Sequence, residues 1–442
     1  MKSLKKATLT IAVFLFVLIS PAWGKVYIDL AAPASKKVPI GVQEFKDLSG
    51  APSAKDKAER DKLKKELFDA VVTDLKFSGF FSVIDSKANL EDPASSGITA
   101  AETDFKSWRA IGADALVKGG FLVEGDRLTV EVRFFDTATE RQVLGKRLVG
   151  SMRNPRRIIH FFSDSLYEEL TGNKGVFTTK VLFVSNSGGN KEIYIADYDG
   201  RNSMKLTRNR SINLSPQWSP DGKKMLYVSY KKGTPAMYLL DLTTGRDEQL
   251  SSKSGINISG RFSPDGNKVA LTLSGEKSPE LSILDLNTKE YKKLTDNHGI
   301  DVSPAWSPDG SKLAYVSDGS GNPHIYVLDL LTKNTKRITF NGKYNSSPAW
   351  SPDGRQIAFA RSDSGKFNIW TIRPDGTGLA QLTFEGDNRN PSWSPDGRYI
   401  VYSSAARGSA SLKIMRSDGA EIMKLNTGIG GERAPAWSPY LK

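Results

Sequence analysis

From residue 180 to its end the chain alternates short apolar runs with turn residues, and each cycle repeats the one before. One cycle reads Trp306-Ser307-Pro308-Asp309-Gly310, then Lys312 to Ser317, Ile325 to Asp329, and Lys336 to Thr339. Each is a short β run bounded by turn residues, so one unit predicts four antiparallel strands. The aromatic that opens a cycle stands at Trp218, Phe262, Trp306, Trp350, Trp393 and Trp437, at intervals of 44, 44, 44, 43 and 44 residues. A period in the forties, with one aromatic and one turn per unit, is the pattern of propeller blades.

The count of runs predicts how the ring closes. Lys180 to Ser185, Ile193 to Asp197 and Lys205 to Thr207 match the second, third and fourth strands of a unit, with no signature ahead of them. Ala434 to Pro439 supplies a first strand with nothing behind it. The C-terminal strand therefore completes the first blade, giving an all-β six-bladed propeller over residues 176–442 without a long exposed edge. In the signature itself Pro presets φ, Asp supports the turn and Gly accepts positive φ. The aromatic is expected to pack between neighbouring blades, where burial contributes about 2 to 3 kcal/mol. These residues carry architecture rather than catalysis.

Ahead of the repeats the periodicity is mixed. Pro39 to Phe45 reads as a strand, Asp56 to Phe77 as a helix with Leu63, Leu67, Ala70, Val71 and Leu75 on one face, and Gly79 to Asp85 as a strand. Asp104 to Ile111 predicts a second helix, and Ala115 to Glu124, Arg127 to Asp136 and Gln142 to Ser151 predict three strands. Pro155 to Leu170 closes the region as a helix, with Pro155 in its first turn. This predicts an α/β domain over residues 38–172, a mixed sheet with helices. Val117-Lys118-Gly119-Gly120-Phe121 lacks the spacing of a phosphate loop, and its glycines fit a bulge or a close backbone approach.

Residues 1–24 change the cellular picture. Lys2, Lys5 and Lys6 precede the apolar run Ala7 to Ser20, and Pro21-Ala22-Trp23-Gly24 ends it with small residues, as in a secretory signal cleaved after Gly24. An uncleaved membrane anchor is the alternative. Residues 25–37 form an arm: Lys25, Val26, Tyr27, Ile28, Asp29 and Leu30 alternate as a short strand, and small residues tether it. Such a strand can join a partner's sheet edge or pair inside its own domain, and both readings stand. The formal charge of +13 falls to +10 without the first 24 residues. The basic residues are scattered, without a cluster interleaved with stacking aromatics, so nucleic acid is not an expected partner. The chain has no Cys, which removes disulfides and thiol chemistry.

Candidate chemistry is sparse. His160, His298 and His324 share no ligand spacing, and Asp197-Tyr198-Asp199-Gly200 is too short for a Ca²⁺ loop and reads as a turn. No catalytic residue, cofactor or metal site is expected. A propeller-gated peptidase would need a hydrolase domain with a nucleophile elbow, and no Gly-X-Ser-X-Gly occurs; a lyase would need clustered His or carboxylates. A secreted glycan-binding or scaffolding propeller remains an alternative. The positions ahead of the signatures, Asn213, Asn257, Asp301, Asn345, Asn390, Glu432 and Arg433, are expected to face one mouth of the ring, either receiving a partner or capping the strand starts.

With a signal, a small α/β domain and six units of the Trp-Ser-Pro-Asp-Gly type, four of them with that exact sequence, the chain resembles the TolB family, periplasmic propeller proteins of the Tol-Pal system. Val38-Pro39-Ile40-Gly41-Val42, Ile195 to Gly200 and the terminal Trp437-Ser438-Pro439-Tyr440-Leu441 carry the resemblance. It implies a non-enzymatic, monomeric periplasmic adaptor. Such an adaptor binds the lipoprotein Pal through the propeller mouth and the protein TolA through the arm Lys25 to Leu30. Its association with the outer membrane is then peripheral, through Pal, and it supports membrane integrity and constriction during division. The loops at Ile256 to Gly260 and at Val302 depart from the polar loops of the family.

Overall fold

The structure is a computed structural model that describes residues 37–441 apart from 51–53, 89–90, 93–95, 252–254, 256, 275–277 and 407. The expected secretory signal and the expected arm at Lys25 to Leu30 lie outside the described residues.

The N-terminal sheet runs in the order Phe81–Val83, Val38–Val42, Ala115–Glu124, Arg127–Asp136, Arg141–Ser151, with Lys46–Asp47 paired beside Phe121. Val38–Val42 is parallel to both its neighbours and the last three strands form an antiparallel meander, so the sheet is mixed. Two helices cover one face. Ala54–Ser78 buries Leu63, Leu67, Ala70, Val71 and Leu75, and Pro155–Thr171 buries Ile158, Ile159, Phe162, Leu166 and Leu170. The second is capped at both ends: Asn154 accepts a hydrogen bond from the Arg157 N–H at 3.3 Å, Pro155 opens the first turn, and Gly172 stops the helix at φ 69°. Gly119 and Gly120 mark a close approach, since a Cβ there would stand 2.4 Å from the Phe45 ring and 2.7 Å from the Leu48 side chain.

The C-terminal region is a six-bladed β-propeller of four-stranded sheets. Glu432–Trp437 pairs antiparallel with Lys180–Ser185 and completes blade 1, so the ring is sealed by its C-terminal strand. Blades 2 to 6 begin with the inner strands Asn213–Trp218, Asn257–Phe262, Asp301–Trp306, Tyr344–Trp350 and Asp387–Trp393.

Each signature fastens a blade in two ways. In the turn, Ser219, Ser263, Ser307, Ser351 and Ser394 donate to the Asp two residues on, and each hydroxyl accepts from the backbone N–H that opens the second strand. The Gly that follows takes a φ of 70° to 74°, a conformation that suits glycine. Between blades, the indole N–H of Trp218, Trp306 and Trp393 donates to the inner-strand carbonyl of Ala436, Arg261 and Ala349 in the preceding blade, at 3.0 to 3.1 Å. Phe262 has no such donor, and the Trp350 indole N–H is buried without an acceptor among the described residues.

The domains meet across a shared apolar core. Phe77 from the first helix packs against Phe177, Tyr198 and Tyr399 at centroid distances of 6.0, 4.8 and 4.5 Å. A buried polar knot lies beside it. Asp74 accepts from Tyr198 Oη at 2.6 Å and from His160 Nδ1 at 2.9 Å, while Arg156 pairs with Asp199. Tyr198 and Asp199 belong to the third-to-fourth strand turn of blade 1, and Arg398, which pairs with Tyr167, to the signature turn of blade 6. The α/β domain thus occupies the signature-turn face of the ring and leaves the opposite face open.

Candidate functional site

The inner strands start on the open face, because each runs from there toward its signature turn. One position at the strand start is structurally fixed: Asn213, Asn257, Asp301, Asn345, Asn388 and Glu432 all stand five residues ahead of the aromatic, and all are buried. Their side chains hold the loops that deliver each strand. Asn213 Nδ2 donates to the Lys191 carbonyl at 3.0 Å and to Asn209 Oδ1 at 2.8 Å, and Asn345 Nδ2 to the Pro323 and Asn341 carbonyls, each at 3.2 Å. Ser251 donates to Asn257, Asn297 to Asp301 at 2.7 Å, and the Gly430 N–H to Glu432 at 3.0 Å. The sequence-based reading of this set as a partner-contacting face needs correcting at the side-chain level. Buried and bonded, these residues cap the strand starts.

Asn390 also needs reassignment, since Asn388 holds the equivalent position in blade 6 and Asn390 stands two residues further on. There Ser215, Ser259, Ser303, Ser347, Asn390 and Ala434 form a column with φ from 47° to 58°, at the bulge of each inner strand. Asn390 lines the central channel and donates to Ser347 Oγ at 3.2 Å. Of the predicted mouth residues Arg433 alone is exposed.

What the open face presents is apolar and basic. Ile212, Ile300, Phe340, Tyr344 and Phe384 are exposed there, with Phe340 and Phe384 at 70% and 76% of their surface accessible. All five lie on the connections from a fourth strand to the next inner strand, or at that strand's first residue. Guanidinium groups lean on the rings between them: Arg337 lies 5.0 Å from the Phe340 centroid, Arg361 4.4 Å from Trp370 and Arg389 3.9 Å from Phe367. A groove of about 450 Å³ runs beside Phe384, lined by Arg361, Asp363, Lys366 and Glu385. Large exposed apolar side chains grouped on one face and mixed with arginines have the composition of an interaction surface. Periodicity did not reveal these residues because they fall in loops; reading the tips of the connecting loops for aromatics would have found them.

His324 is buried between Asn345 and Thr339, with contacts of 3.1 and 3.3 Å, and burial holds it below its ordinary value. His160 belongs to the domain interface. Among the described residues no group of three or more His, Asp or Glu is placed to hold a metal ion, and no helix is long and apolar enough to cross a membrane.

Two family models match, described as the TolB amino-terminal domain over residues 26–143 and the TolB beta propeller domain over residues 167–441. The crystal structure of TolB from Acinetobacter baumannii is similar at 30% identity and a TM-score of 0.78, covering 92% of this chain and 97% of that one. Among curated relatives, the Tol-Pal system protein TolB of Syntrophotalea carbinolica is 42% identical over 197 residues, 45% of this chain and 44% of its own. That of Geobacter sulfurreducens is 38% identical over 218 residues, 49% of this chain and 48% of its own. The matched stretch thus spans about half the length of these curated relatives or less.

Proposed function

The chain belongs to the TolB family, and on that premise we propose that it is a non-enzymatic, monomeric adaptor of the Tol-Pal system in the periplasm. The open propeller face receives Pal, the arm at Lys25 to Leu30 engages TolA, and the protein associates with the outer membrane peripherally through Pal. In this way it supports membrane integrity and constriction during division. The carrying observation is the set of exposed apolar side chains around the open mouth, Phe340 and Phe384 above all, on the face that the α/β domain leaves free. A second partner bound through the arm can be coupled to the first through any difference in affinity between the two arm positions.

Calorimetric titration of the mature protein with Pal and with TolA from the same organism tests this. Phe340→Ser and Phe384→Ser are expected to weaken Pal by about 2 kcal/mol each, roughly 30-fold in Kd, without altering thermal unfolding. Deletion of residues 25–30 is expected to abolish TolA binding and to shift Pal affinity. Pal binding untouched by both substitutions would place the contact elsewhere, and TolA binding without the arm would remove the coupling.

A further inference from the structure

The repeat breaks in one place, and the break introduces a charge into the channel. The inner-strand residue ahead of each aromatic is Gln217, Ala305, Ala349, Ser392 and Ala436 in five blades, and Arg261 in blade 3. The residues flanking Arg261 depart as well. Gly260 stands where the other five blades have Pro, and Phe262 where they have Trp. A Cβ at Gly260 would come within 2.6 Å of Leu226 and Met237, so this strand packs closer to blade 2 than a side chain would allow.

Arg261 lines a cavity of about 90 Å³ in the ring's channel, with Ser215, Gln217, Ser347, Asn390 and Ser392 on its polar side. Of the residues lining that cavity it is the only charged one. Among the described residues its guanidinium makes one hydrogen bond, a weak contact of 3.4 Å from Nη1 to the Gly260 carbonyl, and no carboxylate pairs with it. Burial pulls its pKa down to about 10 with no acid opposing the shift. Arg261 is half-buried in the channel with no counter-charge among the described residues, and an oxyanion there would supply both the charge balance and the bidentate hydrogen bonds its fork can make. The space exceeds that of a single water several times over. Arg433, exposed at the rim and likewise without an ion pair, adds positive potential at the entrance.

We propose that the propeller channel is an oxyanion site, in which Arg261 binds a phosphate or carboxylate group with the serine hydroxyls and the Gln217 and Asn390 amides as further donors. The group can be a free anion or a carboxylate presented by a partner docked on the mouth. Only the second source rests on the adaptor reading.

Titration of the isolated mature protein with inorganic phosphate and with succinate, followed by calorimetry and by ³¹P line broadening, is the test. One saturable site per chain is expected, unaffected by chloride at matched ionic strength. Arg261→Gln should lower the affinity about tenfold or more while remaining folded, because it removes an unpaired charge; Arg261→Lys, which keeps the charge, should retain binding. Competition then separates the sources: phosphate that displaces Pal from the wild type but not from Arg261→Gln identifies a presented carboxylate, and phosphate binding without displacement identifies a free anion. No saturable binding by the wild type, or equal binding by Arg261→Gln, overturns the proposal.

Discussion

Replacing Trp393 by Phe and, separately, Trp350 by Phe tests the hydrogen-bonded half of the inter-blade fastener. The two residues hold the same position in adjacent blades. Trp393 donates from its indole to the Ala349 carbonyl at 3.0 Å, whereas the Trp350 donor is buried without an acceptor among the described residues. Both substitutions trade an indole for a phenyl ring, and Trp393 is the more deeply buried of the two, so the area term works in the same direction as the hydrogen bond. Trp393→Phe additionally loses a hydrogen bond worth about 1 kcal/mol and orphans a carbonyl, while Trp350→Phe removes a buried donor that costs about 1 to 3 kcal/mol as it stands. Trp393→Phe should therefore be the more destabilising by about 2 kcal/mol. At about 2 to 4 °C per kcal/mol for a domain near this size, that is roughly 4 to 8 °C in Tm. Calorimetry with far-UV dichroism is the suitable assay, since intrinsic fluorescence would change with the substituted residue itself. Equal costs, within about 0.5 kcal/mol, would refute the assignment of the fastener to the indole N–H.

The domain interface and the small domain offer further tests. Asp74→Ala leaves His160 and Tyr198 facing each other without their shared acceptor, and should cost about 3 to 5 kcal/mol in urea unfolding. Burial works against the charged His160 ring, but Asp74 beside it outweighs that and raises its pKa above the ordinary 6.5. The stabilisation is then fully present below that ordinary value and is lost as pH rises through the raised one. Heat unfolding should occur at lower temperature as pH rises through that raised value, and His160→Gln should flatten that dependence. In the α/β domain Lys118 Nζ donates to Glu91 at 3.0 Å, and Glu91 also accepts from the Trp108 indole at 2.6 Å. Glu91→Ala strands a buried ammonium and should cost about 3 to 5 kcal/mol, more than Lys118→Met, which removes the charge itself; the reverse order in urea unfolding would show that the pair is solvated.

Legibility in the sequence followed from how a feature repeats. The blades and their closure were readable because each unit opens on an aromatic followed by Ser-Pro, and the helix Ala54–Ser78 because Leu63, Leu67, Ala70, Val71 and Leu75 keep one period. The mouth was readable as a place and misread as a set of side chains. Polarity at Asn213 or Asn345 suggested exposure, but a polar residue that bonds loop carbonyls is needed where a strand begins inside the ring. Asn390 was displaced by two positions because polar residues stand at both 388 and 390, and spacing from Trp393 settles which is equivalent. Tyr198 and Asp199 read as a turn and are one. That Tyr198 also docks a helix residue 124 positions earlier, and Asp199 one 43 positions earlier, depends on tertiary approach, which no local pattern encodes. Arg261 was visible all along as a departure from its column.

The pairing of Glu432–Trp437 with Lys180–Ser185 joins residues about 250 positions apart, and it makes ring closure depend on the chain being present through residue 437. A product cut short of residue 432 leaves the Lys180–Ser185 strand with a naked edge, open to another chain or to a protease. It also leaves the Thr179 hydroxyl, which receives the Trp437 indole at 2.8 Å, without that donor at the seam beside the domain interface. Contacts this distant in sequence form late, after the intervening loop has been closed. Proteolytic sensitivity near residue 180 thus reports whether the strand Glu432–Trp437 has paired, so that a protease can distinguish closed rings from open ones without reading any other part of them.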